Sequence, residues 1–213
     1  MSPTNNEERQ AGNLLLSQLK MFNEATVFFK RQLNPAIWQG IDLCANDFIS
    51  KKGWGGKADY ARSGVFWLAP KKWDIDGTDY KYFYESFSTR SDQHDYELAL
   101  LTGCCAEQEH FFGFRFHPSK AIFGPDKNLK SMVSNIDPAL RMELDNLNFR
   151  DLGKGMFFLP VTLDINMMAE CWQDNGEFPP DHELFAPLRS ALETLEKAIS
   201  IFDTIFAAAN DNL

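Results

Sequence analysis

The side chains of this 213-residue chain that could do chemistry fall into three groups, and in none does spacing alone force convergence. Cys104, Cys105, His110 and His117 are the tightest set of thiol and imidazole ligands. Their spacing departs from the paired Cys-x2-Cys units of zinc sites. If Cys105 and His110 faced each other across a hairpin turn, His117 would stand seven residues further on, about 23 Å away at the rise of a strand. We read the four as loop and strand residues and expect no metal or cofactor. A bridge between the adjacent Cys104 and Cys105 would be strained, so neither is expected to be structural, and reduced thiols are expected throughout.

Glu85, Asp95 and Glu97, with Lys81 as counter-charge, are the candidates for a magnesium-dependent nuclease site, which needs two or three carboxylates on neighbouring strands. The acid-x-lysine spacing is missing: Glu85 is followed by Ser86 and Phe87, and Glu97 by Leu98 and Ala99. Cross-strand ion pairing, Glu97 with Arg115 for instance, is the favoured use of these groups. A serine hydrolase is excluded in its usual form, because no Gly-x-Ser-x-Gly elbow exists.

The third group could bind. The stretch KKGWGGK, Lys51 to Lys57, could bring backbone amides and lysines close to phosphate, although it lacks the Walker spacing. Lys51, Lys52, Trp54, Lys57, Arg62, Trp67, Lys71 and Lys72, with Arg115 further on, interleave cations and aromatics in a manner that suits stacking on unpaired bases. Lysines also protect exposed sheet edges from aggregation, which is the plainer use.

Positioning any of these groups requires a sheet, and the aromatics locate it. All five tyrosines (Tyr60, Tyr80, Tyr82, Tyr84, Tyr96) fall between Tyr60 and Phe123, among polar residues, as a half-buried antiparallel sheet demands. Predicted strands are Arg62 to Pro70, Tyr80 to Ser88, Tyr96 to Gly103 and Phe111 to His117, entered through a flexible Gly53 to Gly56. They form a meander of about four strands over 60–123. Asp76-Gly77 supplies turn chemistry between the first two.

Helices flank the sheet. Leu15, Leu19, Phe22, Thr26, Phe29 and Leu33 recur at alternating steps of four and three within Asn13 to Leu33, widened by Leu14, Met21 and Phe28. A helix this apolar is expected to pack deeply, against its own sheet or a partner. Asn34-Pro35 reads as the cap and first position of a second helix that stops at Gly53. Lys127 to Leu147 is predicted helical with a break at Asp137-Pro138. Met156 to Leu163 is a short strand whose Pro160 suggests an edge or bulge. Asp181 to Ala209 is a long terminal helix capped by Asp181, its start delayed or bent by Pro187. The expected fold is α+β in a single domain, 1–213, helical over 13–52 and helical or mixed over 127–209.

A hydrophobic share of 44% and a charged share of 24% belong to ordinary globular chains. No apolar run approaches the roughly 18 residues that cross a bilayer, so a cytoplasmic protein without membrane partners is expected. The net charge of −9 opposes broad affinity for nucleic acid. Charge is polarised, however: residues 51–72 hold six cations against one acid, and from Asp164 onward ten acids face only Arg189 and Lys197. The expected function is binding to another protein through the acidic carboxyl-terminal third, without catalysis, as an immunity protein, antitoxin or adaptor does. The alternative is a nucleic-acid-binding or nuclease-like protein using segment 51–72.

Overall fold

The computed structural model describes residues 5–89, 96–105, 111–134 and 136–210. Its helices are α1 (Asn6–Ser17), α2 (Leu19–Phe28), α3 (Asn34–Lys52), α4 (Tyr60–Ser63), α5 (Glu97–Thr102), α6 (Lys120–Phe123), α7 (Asp126–Ser134), α8 (Pro138–Asn146), α9 (Ile165–Asn175) and α10 (Ala186–Asn210). Six strands, β1 (Gly55–Asp59), β2 (Val65–Ala69), β3 (Tyr82–Ser88), β4 (Phe112–Pro118), β5 (Arg150–Gly153) and β6 (Met156–Val161), form one antiparallel sheet in the order β1-β2-β3-β4-β6-β5. The fold is α+β as the sequence predicts, and the sheet has six strands where a meander of about four was expected.

Alternation along the strands decides which side is core. Phe66, Leu68, Tyr82, Tyr84, Phe112, Phe114, Phe116, Phe157 and Leu159 are buried on the face covered by helices. There α10 packs against α3, α8 and β6. Phe202 of α10 stacks on Phe116 at 3.8 Å between ring centroids, with planes only 8° apart. Tyr84 spans the layer and donates its hydroxyl to the Leu195 carbonyl at 2.9 Å, so its burial leaves no polar atom unpaired.

Several predicted elements change. The expected flexible entry is instead β1, because Gly55 to Asp59 pair in register with Val65 to Ala69. The strand expected from Arg62 starts only at Val65. Residues Tyr60–Ser63 turn as α4 because the buried Asp42 carboxylate accepts the N–H groups of Tyr60 and Ala61, both at 2.9 Å. Tyr96 to Gly103 is not a strand but α5, with Leu100 and Leu101 in the core and Gly103 ending it at φ 67°. Six residues of strong helix formers carry no decisive period, and here intrinsic propensity wins.

Asn34 does not cap a helix. The chain passes through a π-helical segment, Phe29–Leu33, straight into α3, and the Asn34 carbonyl oxygen of the side chain accepts from the Trp38 indole at 3.2 Å. Gly53 does end α3, at φ 62°. Ahead of the last helix, His182 rather than Asp181 caps the 3-10 turn, its Nδ1 accepting from the Leu184 N–H at 3.1 Å. A 3-10 turn, Glu183–Phe185, precedes Pro187, so the delayed start is as predicted.

Pro160 is not in an edge strand. It lies opposite Gly113 in the β4–β6 ladder, whereas β5 reaches only as far as Phe158. A Cβ on Gly113 would stand 2.1 Å from the Leu159 carbonyl oxygen, so glycine is what lets the two backbones approach there. Of the two covers expected for Asn13 to Leu33, its own sheet is not the one used. Instead of packing on the sheet, α1 and α2 project from the body, with Leu14, Leu15, Leu16, Leu19, Met21, Phe22, Val27 and Phe28 all exposed.

Candidate functional site

The sheet face opposite the helices gathers many of the residues singled out by the sequence. Register places Lys57, Trp67, Glu85, Arg115, Phe158 and Arg150 in one row across all six strands. Arg115 donates through Nε to Glu85 at 2.9 Å and through its terminal nitrogen to the same carboxylate. Its guanidinium also lies 3.9 Å above the Phe87 ring, so charge and ring fix one orientation. Arg115 takes Glu85 as partner where the sequence suggested Glu97. Glu97, carried away on α5, accepts the Tyr60 hydroxyl at 2.5 Å.

β2 and β3 share only the pairs Trp67 with Glu85 and Leu68 with Tyr84 before they splay. The gap opens a cleft of about 430 Å³ lined by Val65, Trp67, Tyr80, Phe83, Glu85 and Ser119, among others. Trp67 meets Tyr80 edge-on at 5.2 Å. Phe83 stacks on His117 at 5.0 Å. Burial lowers the His117 pKa, outweighing the pull of Glu85, and its buried Nδ1 has no hydrogen-bond partner among the described residues. The imidazole is therefore a neutral component of this face rather than a cation. Asp95 and His110 lie outside the described residues, and Cys104 and Cys105 follow α5, exposed and half-buried respectively.

The basic segment does not stay together. Lys51 pairs with Asp47 at 2.7 Å, Lys52 with Glu196 at 2.6 Å, Lys57 with Asp59 at 3.0 Å, and Lys72 with Asp203. Trp54 is buried, between Phe48 and Tyr84, and offers no face to a ligand. Arg62 lies on α4 and Lys71 on the 3-10 turn after β2, and neither forms an ion pair among the described residues. The polarity visible in sequence is thus partly spent inside the molecule: α10 sends Glu196 and Asp203 to the cations of 51–72.

What α10 leaves over is a different acidic surface, around α9. Asp164, Glu170, Asp174, Glu177, Asp181 and Glu183 are all exposed, no lysine or arginine occurs from Asp164 to Leu188, and none of the six forms an ion pair among the described residues. Asp164 also caps α9, accepting the N–H of Asn166 at 2.7 Å. Ile165 and Met167 stand exposed within this surface, at 42% and 36%. In the sequence this surface shows as the acidic third, and the helix α9 that presents it is a finding of the structure.

A groove of about 620 Å³ between α3 and α10 contains Cys44, Lys51, Asp181 and Arg189. Burial pushes the Cys44 thiol up to about 11, so it is no nucleophile at neutral pH. No protein-family model matches the chain, and comparison with curated proteins and with solved structures gives no match either. Among the described residues no helix is long and apolar enough to cross a membrane.

Proposed function

We propose that the chain is a cytoplasmic protein that binds another protein, one with a basic surface, and catalyses no reaction itself, as immunity proteins, antitoxins and adaptors do. The α9 surface carries this reading. None of its six carboxylates forms an ion pair among the described residues, and two apolar side chains sit among them. Such an arrangement steers a positively charged partner electrostatically and gives it apolar area to bury on arrival. The carboxylates Glu196 and Asp203, held by Lys52 and Lys72, contribute to the fold instead.

Affinity isolation of the tagged chain from its native cells, followed by chemical cross-linking, tests the proposal. A stoichiometric partner with a basic face should cross-link at α9, and reversing Glu170, Asp174 and Glu177 to lysine should abolish its capture. Recovery of no such partner, or capture indifferent to the reversals, overturns it.

The nucleic-acid reading draws on Arg62, Lys71 and the half-buried Trp67, the parts of the basic segment that remain available. It requires that Arg62→Glu with Lys71→Glu lower single-strand binding and flatten its salt dependence.

A further inference from the structure

The projecting arm holds eight of the exposed large apolar side chains of the described residues. Its backbone ladder continues through the irregular residue Gln18, whose N–H reaches the Leu14 carbonyl at 3.2 Å and whose carbonyl receives the Phe22 N–H at 3.0 Å. α1 and α2 thus follow one another along an arm from Asn6 to Phe28, about 35 Å of helix at the rise of an α-helix. Its base is anchored where Phe28 meets Trp172 at 6.0 Å and Phe29 meets Tyr96 at 5.3 Å. Along the arm, Leu15, Leu19 and Phe22 are 47–55% exposed, and Leu14, Met21 and Phe28 are 46–65% exposed. With Leu16 at 71% and Val27 at 41%, large apolar side chains stand exposed along the whole arm.

We infer that this arm pairs, antiparallel, with the same arm of a second copy of the chain. Spacing points to a helix as the occupant: within the arm, Leu15, Leu19, Phe22 and Thr26 follow at steps of four, three and four, the spacing of one helical seam. Charge identifies it as this helix reversed. Glu7 and Glu8 lie near the tip, and Lys30 and Arg31 lie at the base. Antiparallel pairing sets each acidic tip on the basic base of the other copy, whereas parallel pairing sets like on like. The arm carries four cations (Arg9, Lys20, Lys30, Arg31) against three acids, in a chain of net charge −9, so two arms meet without the repulsion two bodies would feel. An antiparallel pair also holds those bodies at opposite ends.

The arm meets α9 at its base, through Phe28 and Trp172, and one set of measurements separates the pairing from the α9 surface. Sedimentation equilibrium of the full chain at about 100 µM should give twice the 24.3 kDa monomer mass. Leu19→Glu with Phe22→Glu should give the monomer mass while circular dichroism stays unchanged, since both side chains face water in the monomer. Glu7→Lys with Glu8→Lys should weaken self-association roughly tenfold, and adding Lys30→Glu with Arg31→Glu should restore it. The α9 reversals should leave the mass unaltered. A monomeric wild-type chain, a dimer indifferent to the Leu19 and Phe22 changes, or a charge swap that fails to rescue overturns the pairing. So does a monomer that instead sediments with phosphatidylcholine or phosphatidylserine vesicles, or one that captures an unrelated helical protein through the arm.

Discussion

Trp73 donates its indole N–H to the carboxylate of Asp203 at 2.7 Å, across 130 residues of chain. Lys72 pairs with the other oxygen of the same group. One side chain of α10 thus satisfies a buried ring and neutralises a neighbouring cation, stitching the link between β2 and β3 to the terminal helix.

Asp203→Ala leaves the indole N–H of Trp73, a residue only 1% exposed, without an acceptor. The expected cost is about 1–3 kcal/mol, read as a lower urea midpoint at constant slope. Asp203→Asn keeps an acceptor and should cost less than the alanine change. Equal costs would mean that the charge of Lys72, not the ring, is what Asp203 serves.

Asp42 and Asp126 should respond to pH with opposite signs. Burial raises the Asp42 pKa, against the two N–H groups it accepts. A raised acid binds its proton more tightly when folded, so its charge penalty is full above the folded value and disappears below the unfolded value near 4. The stability of wild type relative to Asp42→Asn should rise as pH falls from 7 to 4. Asp126 is held down to about 2 by the hydrogen bonds of Lys120 and Lys154. Its contribution is present above the ordinary value near 4 and is lost as pH falls toward 2. The advantage of wild type over Asp126→Asn should shrink in that lower window. Urea titrations at each pH measure both differences.

Gly113→Ala would force a methyl group against the Leu159 carbonyl and the Pro160 Cα, both backbone atoms. Neither can turn aside as a flexible side chain would. A loss of about 3 kcal/mol is expected, at the upper end of overpacking costs, with faster amide exchange along β4 and β6. A substitution costing under about 1 kcal/mol would show that the ladder at Pro160 has slack.

Glu85 and Arg115 should couple. Their side chains are 27% and 22% exposed, and Phe87 holds the guanidinium in place. A double-mutant cycle with alanine should give a coupling energy of about 1 kcal/mol, above the few tenths usual for fully exposed pairs. Because His117 and Trp67 flank the pair, tryptophan fluorescence is a second readout of the same change.

Periodic runs of adequate length were legible before any coordinates. The stripe of α10, the strands Tyr82–Ser88 and Phe112–Pro118, and the break at Asp137-Pro138 all follow from local spacing and proline chemistry. Short or glycine-rich pieces were not. Gly55–Asp59 lacks the side chains that advertise a strand and exists because β2 pairs with it. Glu97–Thr102 is too short for its alternation to be distinguished from a helical face. Among the candidate residues, the sequence brought Glu85 and Arg115 into view without pairing them, since register alone makes them neighbours.

By itself the sequence determined that this chain folds as α+β around an aromatic antiparallel sheet and that its charge is polarised, because both are properties of composition and short-range period. Only the tertiary structure decided where that charge goes. Lys52 and Lys72 meet Glu196 and Asp203 when α10 docks beside α3, while the carboxylates around α9 form no ion pair among the described residues. Tertiary structure likewise decided that the apolar repeat of α1 and α2 faces water, because a heptad encodes that a helix needs cover but not which molecule supplies it.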